Sequence, residues 1–244
     1  LAITDHGTLS GLWKAQQAAD ANGVKLIPGI EAYLAIGGRF DRNAVDVIED
    51  GRTKTKKYEH LTLLAESEAG WANLVAISNE SQLSKWGKYP RIDHSLIAEN
   101  RAGLIVLTGC LGGPILGPLS RGDAAQAEAN LVTILETVGR ENVYIEIMEH
   151  GIPAESAILP AAAALAAKYN VPLVATNDSH HTHAAGAGAH DAWLAVSTKT
   201  TLADPTRYQF HGTGYHLRGE SEMLELRPEA WWAEAVANTA IVAD

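Results

Sequence analysis

Cysteine is nearly absent from this chain of 244 residues, and its one cysteine, Cys110, cannot form a disulfide within the chain. A fold held together by internal disulfide bridges is therefore excluded, and a lone thiol suits a reducing compartment. No apolar run approaches the roughly 18 to 20 residues that a membrane-spanning helix requires. Residues 1–4 also lack the basic region of a secretory signal. We therefore expect a cytoplasmic protein without membrane association.

Basic residues are in the minority as well. Lysine and arginine total 19 against 29 aspartate and glutamate residues, so the net charge is -10 at pH 7. Modules dedicated to binding duplex nucleic acid usually present a basic face that displaces counterions from the phosphates. The charge balance argues against such a module. An acidic chain with 10 histidines suits cation binding, although many acidic soluble proteins bind no cation, so the positions of these residues have to decide.

Short apolar segments alternate with helical patterns along most of the chain. Their content of Val, Ile and Leu is typical of parallel strands that are covered on both faces. This alternation predicts an α/β fold with parallel strands, either a barrel or a doubly wound sheet. The candidate strands are residues 1–4, 26–34, 61–65, 104–108, 143–147 and 173–176, and the candidate helices are 8–21, 68–83, 124–138 and 153–169.

Three details of this pattern are specific enough to check. Thr8 could cap the first helix. Pro160 lies inside the last helical pattern and predicts a late start or a kink there. Residues 37–57 are polar, contain Asp50-Gly51 and end in several lysines, which predicts a long loop. Loops of this length often act as lids or binding loops. The lysines could contact phosphates, but the composition favours a solvated basic loop.

Residues of the types that bind metal ions lie in or directly after four of the predicted strands. Because the carboxyl ends of parallel strands share one rim, such residues would converge there. Imidazole and thiolate favour zinc, whereas carboxylates also accept manganese or magnesium and can bridge two ions. Such a site hydrolyses phosphate esters without a covalent nucleophile, because the metal activates water near neutral pH. The residues are Asp5, His6, Glu31, Cys110, Asp178 and His180.

Each of these residues has a plainer explanation when taken singly. Asp5-His6-Gly7 could be a turn before a helix, and Cys110 could be a small buried hydrophobe. Glu31 is harder to dismiss, because an ionised carboxylate does not stay buried without a partner or a metal. His60 precedes the apolar run of its strand, so the rim rule for parallel strands would place it at the opposite end. Only their joint occurrence indicates a site.

Seven phrases stand in order across nearly the whole chain: ITDHG at residues 3–7, PGIEAY at 28–33, HLTLLA at 60–65, LTGCLGG at 107–113, EHGIP at 149–153, ATNDSH at 175–180 and LADPTR at 202–207. Together they resemble the polymerase-and-histidinol-phosphatase (PHP) domain at the N-terminus of bacterial DNA polymerase III alpha subunits. The resemblance implies a distorted, TIM-like (β/α)7 barrel with up to three divalent ions, zinc or manganese, at one rim. The first strand of that barrel, with a His-x-His pair, would precede this chain, so we expect an incomplete barrel and ligand set.

The resemblance also implies roles for particular residues. Matching motifs give six metal-ligand positions and include His60, which the rim rule did not place. The expected catalytic residues among them are Asp178, His180 and His6. His150, in the fifth phrase, could contact a phosphate. The full set of implied metal ligands is His6, Glu31, His60, Cys110, Asp178 and His180.

A functional expectation follows from the resemblance. It implies a metal-dependent phosphoesterase that acts as a 3′–5′ proofreading exonuclease on a DNA primer strand, within a polymerase that works with other replisome subunits. Two alternatives stay open: an inactive structural platform that docks partners, and a free-standing phosphatase for a small phosphate monoester. We expect residues 1–200 to form the barrel, and residues 201–244 to end the domain and connect it toward the polymerase core.

Overall fold

The computed structural model describes residues 1–49, 52–85 and 87–244. Its strands and helices alternate along most of the chain, and short 3-10 turns cover Arg140–Asn142 and Ala184–Gly186. In chain order the elements are β1 (Ala2–Ile3), α1 (Leu12–Asn22), β2 (Ile27–Ala35), β3 (Val45–Glu49), β4 (Arg52–Lys56), β5 (Tyr58–Ala65), α2 (Glu68–Leu83), β6 (Arg91–Ile92), α3 (His94–Glu99), β7 (Leu104–Leu107), α4 (Leu116–Ser120), α5 (Ala124–Val138), β8 (Val143–Ile147), α6 (Pro153–Tyr169), β9 (Leu173–Ala175), α7 (Ala187–Ser197), α8 (Glu220–Leu224) and α9 (Ala230–Ala243).

A mixed sheet of seven strands forms the centre of the molecule. Its order is β1-β2-β5-β7-β8-β9, and β6 also pairs with β2. The sheet curls into part of a barrel, and the strand path within the described residues ends at β1 on one side and β9 on the other. The expected α/β class is confirmed, with the curled sheet consistent with a distorted TIM-like barrel.

One strand reverses the direction that the sequence pattern predicted. β5 pairs antiparallel with both β2 and β7, whereas β1 with β2, β7 with β8, and β8 with β9 are parallel. The prediction of parallel strands throughout is therefore wrong. The reason is the connection between β2 and β5, which holds the β3–β4 hairpin rather than a crossover helix, and parallel pairing requires such a crossover.

The reversal of β5 explains the position of His60. In the β2–β5 pairing, His60 lies opposite Tyr33 near the end of β2, and Thr62 lies opposite Glu31. The backbone N–H of His60 donates to the carbonyl oxygen of Gly112, just beyond the end of β7, at 3.2 Å. The beginning of β5 thus shares a rim with the carboxyl ends of β2 and β7.

The segment 37–57 is only partly a loop. β3 and β4 form an antiparallel hairpin, in which the Thr55 hydroxyl donates to Asp46 Oδ1 at 2.9 Å. β-branched residues such as Val45, Val47 and Thr55 favour strands, and the many charged neighbours concealed that pattern. Asp50-Gly51, which contributed to the prediction of a loop, lies outside the described residues.

The long helices α2, α5 and α6 have the predicted bounds, whereas α1 starts late. α1 begins at Leu12 after Gly11, because the Thr8 hydroxyl accepts a hydrogen bond from the Ser10 N–H at 3.2 Å instead of capping a helix. α6 begins at Pro153 without the expected delay, since a proline at the first helical position loses no hydrogen bond. Pro160 lies within the helix.

Both faces of the sheet are covered by apolar side chains. The larger core lies between the sheet and the helices and includes Leu63, Leu74 and Leu131, all fully buried. Met223 and Trp232, from the predicted connecting segment 201–244, belong to the same core, and the boundary at residue 200 stays a prediction. In the described part of the chain, no helix is long and apolar enough to cross a membrane.

Candidate metal centre

The phrase Asp5-His6-Gly7 continues the pairing of β1 with β2. His6 forms a parallel bridge with Glu31, and the Gly7 N–H donates to the Glu31 carbonyl oxygen at 2.9 Å. Gly7 has a φ of +63°, and a Cβ there would lie 2.7 Å from Pro90 Cγ and 2.8 Å from Tyr33 Cε2. Only glycine fits this approach, which fixes His6 beside Glu31.

Glu31 lies between two imidazoles. His60 Nδ1 is 2.7 Å from Glu31 Oε1, and His6 Nδ1 is 3.5 Å from Glu31 Oε2. One ligand atom from each of the three residues lies within 4.8 Å of the other two. Donors bound to one tetrahedral ion lie roughly 3.4 Å apart when the bonds are about 2.0 to 2.2 Å long. The three side chains therefore need only small adjustments to share an ion.

The charge state of Glu31 suits a bridging ligand. Burial raises the pKa of this carboxyl, but the hydrogen bond with His60 and the nearby charges of His6, His60 and His180 outweigh burial and bring the pKa below its usual value. Glu31 is thus a carboxylate held among imidazoles, and a cation in the same position would preserve that charge balance.

Cys110 adjoins the group through His60. Its Sγ lies 3.6 Å from His60 Nδ1 and accepts a hydrogen bond from the Gly112 N–H at 3.3 Å. The chain approaches closely here, because a Cβ at Gly109, where φ is +78°, would lie 2.4 Å from the His60 carbonyl oxygen. Burial first, and then the charge of Glu31, raise the pKa of the Cys110 thiol. A bound metal cation would reverse that preference and favour the thiolate.

Asp178 and His180 form a separate pair on the loop after β9. His180 Nδ1 donates to the Asp178 carbonyl oxygen at 2.7 Å and lies 3.7 Å from Asp178 Oδ1. Because a carbonyl oxygen only accepts, Nδ1 carries the proton and Nε2 is left as the potential ligand atom. The backbone N–H of His180 is held by the Tyr215 carbonyl oxygen at 2.8 Å.

The environment of Asp178 differs from that of Glu31. Burial raises the pKa of Asp178, and the charge of Glu31 raises it further, while His180, His150 and His6 act in the opposite direction. The pKa stays above its usual value. Asp178 is therefore close enough to Glu31 and His6 to respond to their charges, although it lies outside their compact ligand group.

The predicted residues do not all lie in one group. It brings His6, Glu31 and His60 together, places Cys110 against them, and leaves Asp178 with His180 as a second, electrostatically coupled pair. Asp5 is not among the residues of the compact group, and its Oδ2 would lie 2.5 Å from a Cβ on Gly11, just before α1.

Glu146, in the middle of β8, is a residue of the site that was not predicted. Its Oε2 accepts hydrogen bonds from the Gly109 N–H at 2.9 Å and the Thr62 hydroxyl at 3.3 Å, and its Oε1 accepts one from the Thr176 hydroxyl at 2.7 Å. Each of the three donors lies within two residues of a predicted ligand. Glu146 therefore ties together the backbone segments that carry Cys110, His60 and Asp178.

The same carboxyl is the most strongly buried of the group. Burial raises the pKa of Glu146 to about 7, with the charges of Glu31 and Asp178 adding to it and the hydrogen bonds from Thr176 and Gly109 opposing it. The sequence held a signal for this residue: a glutamate within the apolar strand Val143–Ile147, like Glu31 within its own strand.

His150 is not placed where a phosphate could reach it. Only 2% of the residue is exposed. Its Nδ1 lies 3.1 Å from Glu155 Oε2, its Nε2 lies 3.3 Å from the Asn177 carbonyl oxygen, and its ring stacks on Tyr215 at 4.3 Å. Burial would lower the pKa of His150, but Glu155 raises it above its usual value. In this position His150 supports the loop that leads to Asp178.

The donor set fits a divalent metal ion. Two imidazoles and one thiol suit zinc, and the carboxylates of Glu31 and Asp178 suit manganese as well. The arrangement also supplies the second layer that metal sites require, because Glu146 and the backbone of Gly112 hold ligands or their neighbours in place.

Comparisons with known proteins identify the family of this chain. The model of the PHP domain family matches residues 1–150. DNA polymerase III subunit alpha of Thermus aquaticus is 38% identical over 244 residues, which are 100% of this chain and 19% of that protein. The same subunit from Mycobacterium leprae is 38% identical over 240 residues, 93% of this chain and 20% of that one. The subunit from Deinococcus radiodurans is 36% identical over 247 residues, 100% of this chain and 18% of that one.

The chain therefore spans about a fifth of the length of the curated relatives it matches. Among solved structures, a candidate metal-dependent phosphoesterase from Bifidobacterium adolescentis is similar with a TM-score of 0.33 and 11% identity, over 72% of this chain and 76% of that one. A likeness at this level bears on neither the fold nor the site. The family match covers more than half of the chain, and the chain belongs to the PHP domain family.

Proposed function

We propose that this chain is the PHP domain of a bacterial replicative DNA polymerase and that its rim centre hydrolyses phosphodiester bonds at the 3′ end of a DNA primer strand. The observation that carries the proposal is the compact ligand group of His6, Glu31 and His60. It occurs in a chain that is 38% identical, over its whole length, to a DNA polymerase III subunit alpha. Other replisome subunits are the proposed partners of the whole polymerase.

The residues of the metal centre would have different roles in hydrolysis. His6, Glu31, His60 and Cys110 would hold a divalent ion, zinc or manganese, and Glu31 would supply a carboxylate ligand to it. When bound, the ion supplies Lewis acidity that activates water and stabilises charge on the phosphoryl group. Asp178, whose pKa is raised by burial and by the charge of Glu31, is suited to accept a proton, and His180 presents Nε2 beside it. His6, the most exposed of the ligands, would face the substrate.

The test is nuclease activity on a mismatched 3′ end. The full-length protein would be assayed on a labelled primer with a terminal mismatch, as the parent and as the His6→Ala and Asp178→Asn variants. We expect both variants to degrade the primer at least about 100-fold more slowly, because each removes a group from the reacting centre. Lys168→Ala is the matched control, since Lys168 pairs with Glu128 on an exposed surface. Primer degradation by both variants at the parent's rate would overturn the proposal.

A structural platform is the second candidate. It is favoured by the separation of Asp178 and His180 from the compact ligand group, which among the described residues consists of His6, Glu31 and His60. In that case the protein would bind zinc or manganese and gain stability from it without degrading DNA. A small phosphate monoester, assayed in parallel, tests the free-standing phosphatase: hydrolysis of the monoester in preference to the primer would support that third candidate.

A further inference from the structure

A cavity of about 290 Å³ opens directly beside the metal centre. His60 forms part of its wall, so the cavity and the ligand group share a residue. Apart from Thr55, the other side chains that line it fall into two classes: two tyrosines, Tyr58 and Tyr89, and two lysines, Lys56 and Lys57. Neither class is needed to bind a metal ion, and neither has a role in the proposed hydrolysis.

The tyrosines form an aromatic wall that continues the imidazoles of the metal centre. The rings of Tyr58 and Tyr89 lie 4.7 Å apart, and Tyr58 packs edge-on to Tyr33 at 4.5 Å. Tyr58 is also parallel to the His60 ring, with the centroids 5.7 Å apart. Tyr58 and Tyr89 are half-buried, so they pack against neighbouring rings and still line the cavity. Half-exposed aromatic rings beside a cavity are the usual stacking platform for a nucleobase.

The lysines make this side of the rim basic in a chain whose net charge is -10. Lys56 Nζ lies 3.2 Å from the Gly112 carbonyl oxygen and 3.4 Å from Glu59 Oε1, which offsets part of its charge. Arg121 lies close to Lys56. A Cβ added to Gly117 would lie 3.5 Å from Lys56 Nζ and 3.4 Å from Arg121 Nη1. Lys57 lies at the exposed edge of the cavity. Cations and aromatic rings in one groove favour single-stranded nucleic acid.

We propose that this cavity receives the 3′-terminal nucleotide of a DNA strand, with its base on the wall of Tyr58 and Tyr89 and its phosphate between the lysines and His60. The proposal rests on the proposed function, to which it adds the binding site of the terminal base. Ligand cavities begin at about 300 Å³, so a space of about 290 Å³ suits a single nucleotide better than a base pair. We therefore expect the terminal nucleotide to be unpaired when it enters. Unpairing costs least for a mismatched base, which would give the centre its preference for misincorporated ends.

Variants of Tyr89 test the stacking wall in the full-length protein. Tyr89→Leu removes the ring but keeps an apolar side chain, whereas Tyr89→Phe keeps the ring. The specificity ratio is kcat/KM for a single-stranded oligonucleotide divided by kcat/KM for bis(4-nitrophenyl) phosphate, a small diester that has no base to stack. We expect Tyr89→Leu to lower this ratio about 10-fold, equivalent to about 1.4 kcal/mol. Tyr89→Phe should restore the parent's ratio, and circular dichroism would confirm that both variants fold.

A binding measurement separates this proposal from the proposed function. Fluorescence anisotropy would follow a 5′-labelled thymidine trinucleotide binding to the parent, Tyr89→Leu and Tyr89→Phe in the presence of EDTA, which prevents hydrolysis. We expect about 10-fold weaker binding for Tyr89→Leu alone. If binding depends on the ring while the parent hydrolyses no DNA, the pocket stands and the proposed function fails. Equal binding by all three proteins, or an unchanged specificity ratio in Tyr89→Leu, overturns the pocket.

The salt dependence of binding tests the lysines. Each phosphate contact of a single strand contributes about 0.7 to the slope of log affinity against log salt concentration. Lys57→Gln should lower that slope by about 0.7. Lys168→Gln, at the exposed Glu128 pair, is the matched control and should leave the slope unchanged. A slope that is the same in Lys57→Gln as in the parent would exclude the phosphate contact.

Discussion

Two parts of the metal centre are held by different kinds of structure. The strand-borne group, His6, Glu31 and His60, lies on backbone that is paired within the sheet from β1 through β2 to β5. The loop-borne pair, Asp178 and His180, follows β9 on a segment where Asp178 adopts a φ of +36°. That segment is fixed by contacts with residues that are distant in sequence, such as the Tyr215 carbonyl oxygen.

This difference indicates that the two parts have different roles. Strand pairing keeps His6, Glu31 and His60 close together whether or not an ion is bound, because the register of the paired strands sets the separations of their backbones. A non-glycine residue at positive φ is strained, and such strain persists only where surrounding contacts enforce it. We therefore expect the strand-borne group to supply most of the metal affinity and the loop-borne pair to serve mainly catalysis.

The largest expected effects come from removing one carboxylate from each part. Glu31→Gln should weaken zinc and manganese binding at least about 100-fold, since even changes to residues behind the ligands cost about 10- to 100-fold. Asp178→Asn should weaken metal binding about 10-fold while it abolishes primer degradation as fully as Glu31→Gln does. Isothermal titration calorimetry with each metal measures the first effect. Equal losses of affinity in the two variants would contradict the division between the parts.

The pH dependence of stability tests the titration of Glu146, which accepts hydrogen bonds from segments that carry both parts. The folded-state pKa of Glu146 is raised from 4.5 to about 7, so its stabilising, protonated form is fully present below pH 4.5 and is lost as pH rises through about 7. In the metal-free chain, the free energy of unfolding of the parent relative to Glu146→Gln should fall by roughly 3 kcal/mol between pH 4.5 and pH 8. Urea unfolding across this range measures it.

The bound metal provides the control for that titration. A cation near Glu31 and Asp178 neutralises the charges that raise the pKa of Glu146, so the change with pH should be smaller in the metal-loaded protein. If the difference between the parent and Glu146→Gln is independent of pH in the metal-free chain, then Glu146 does not titrate in this range.

The next effect concerns the hydrogen bonds of Glu146. Glu146→Leu leaves the buried Gly109 N–H without an acceptor and should lower the free energy of unfolding at pH 7 by about 2 kcal/mol. Glu146→Gln should cost much less, because its amide can accept from Gly109 and donate to the Thr176 hydroxyl. Since Glu146 contacts segments of both parts, Glu146→Leu should weaken metal binding and primer degradation together. Loss of only one of them would show that Glu146 supports only one part.

The smallest expected effect distinguishes the metals. Cys110→Ser replaces a soft ligand with a hard one, so zinc binding should weaken about 10-fold while manganese binding changes much less. Competition with a chelating dye measures both affinities. Because Cys110 adjoins the strand-borne group, this substitution should not affect the loop-borne pair of Asp178 and His180. An equal loss of affinity for zinc and manganese would indicate that the thiol does not bind the ion.

Much of the fold could be predicted from the sequence, for reasons that are local. The bounds of α2, α5, α6 and β8 follow from apolar periodicity and from end signals such as Pro153 and Gly139, which depend on neighbouring residues. The direction of β5 could not be predicted in this way, because strand direction depends on which connection bridges two distant segments. The β3–β4 hairpin was missed because its charged residues obscured the β-branched alternation.

The candidate site shows the same limit. Glu31 could be predicted from a carboxylate in an apolar strand, whereas His60 required the family resemblance, since its position follows from the reversal of β5. Glu146 fits the argument used for Glu31, but its three donors come from β5 and from the segments that follow β7 and β9, and they meet only in the folded chain. The burial of His150 likewise depends on Tyr215, which is distant in sequence.

X-ray diffraction at the zinc and manganese absorption edges, on crystals of the full-length protein grown with each metal, tests the metal centre most directly. An anomalous peak should appear between His6 Nδ1 or Nε2, Glu31 and His60, with Cys110 Sγ nearer to it in the zinc crystals, and it should disappear in Glu31→Gln. Protein crystals that show no anomalous peak at this rim with either metal would contradict the assignment of a metal centre.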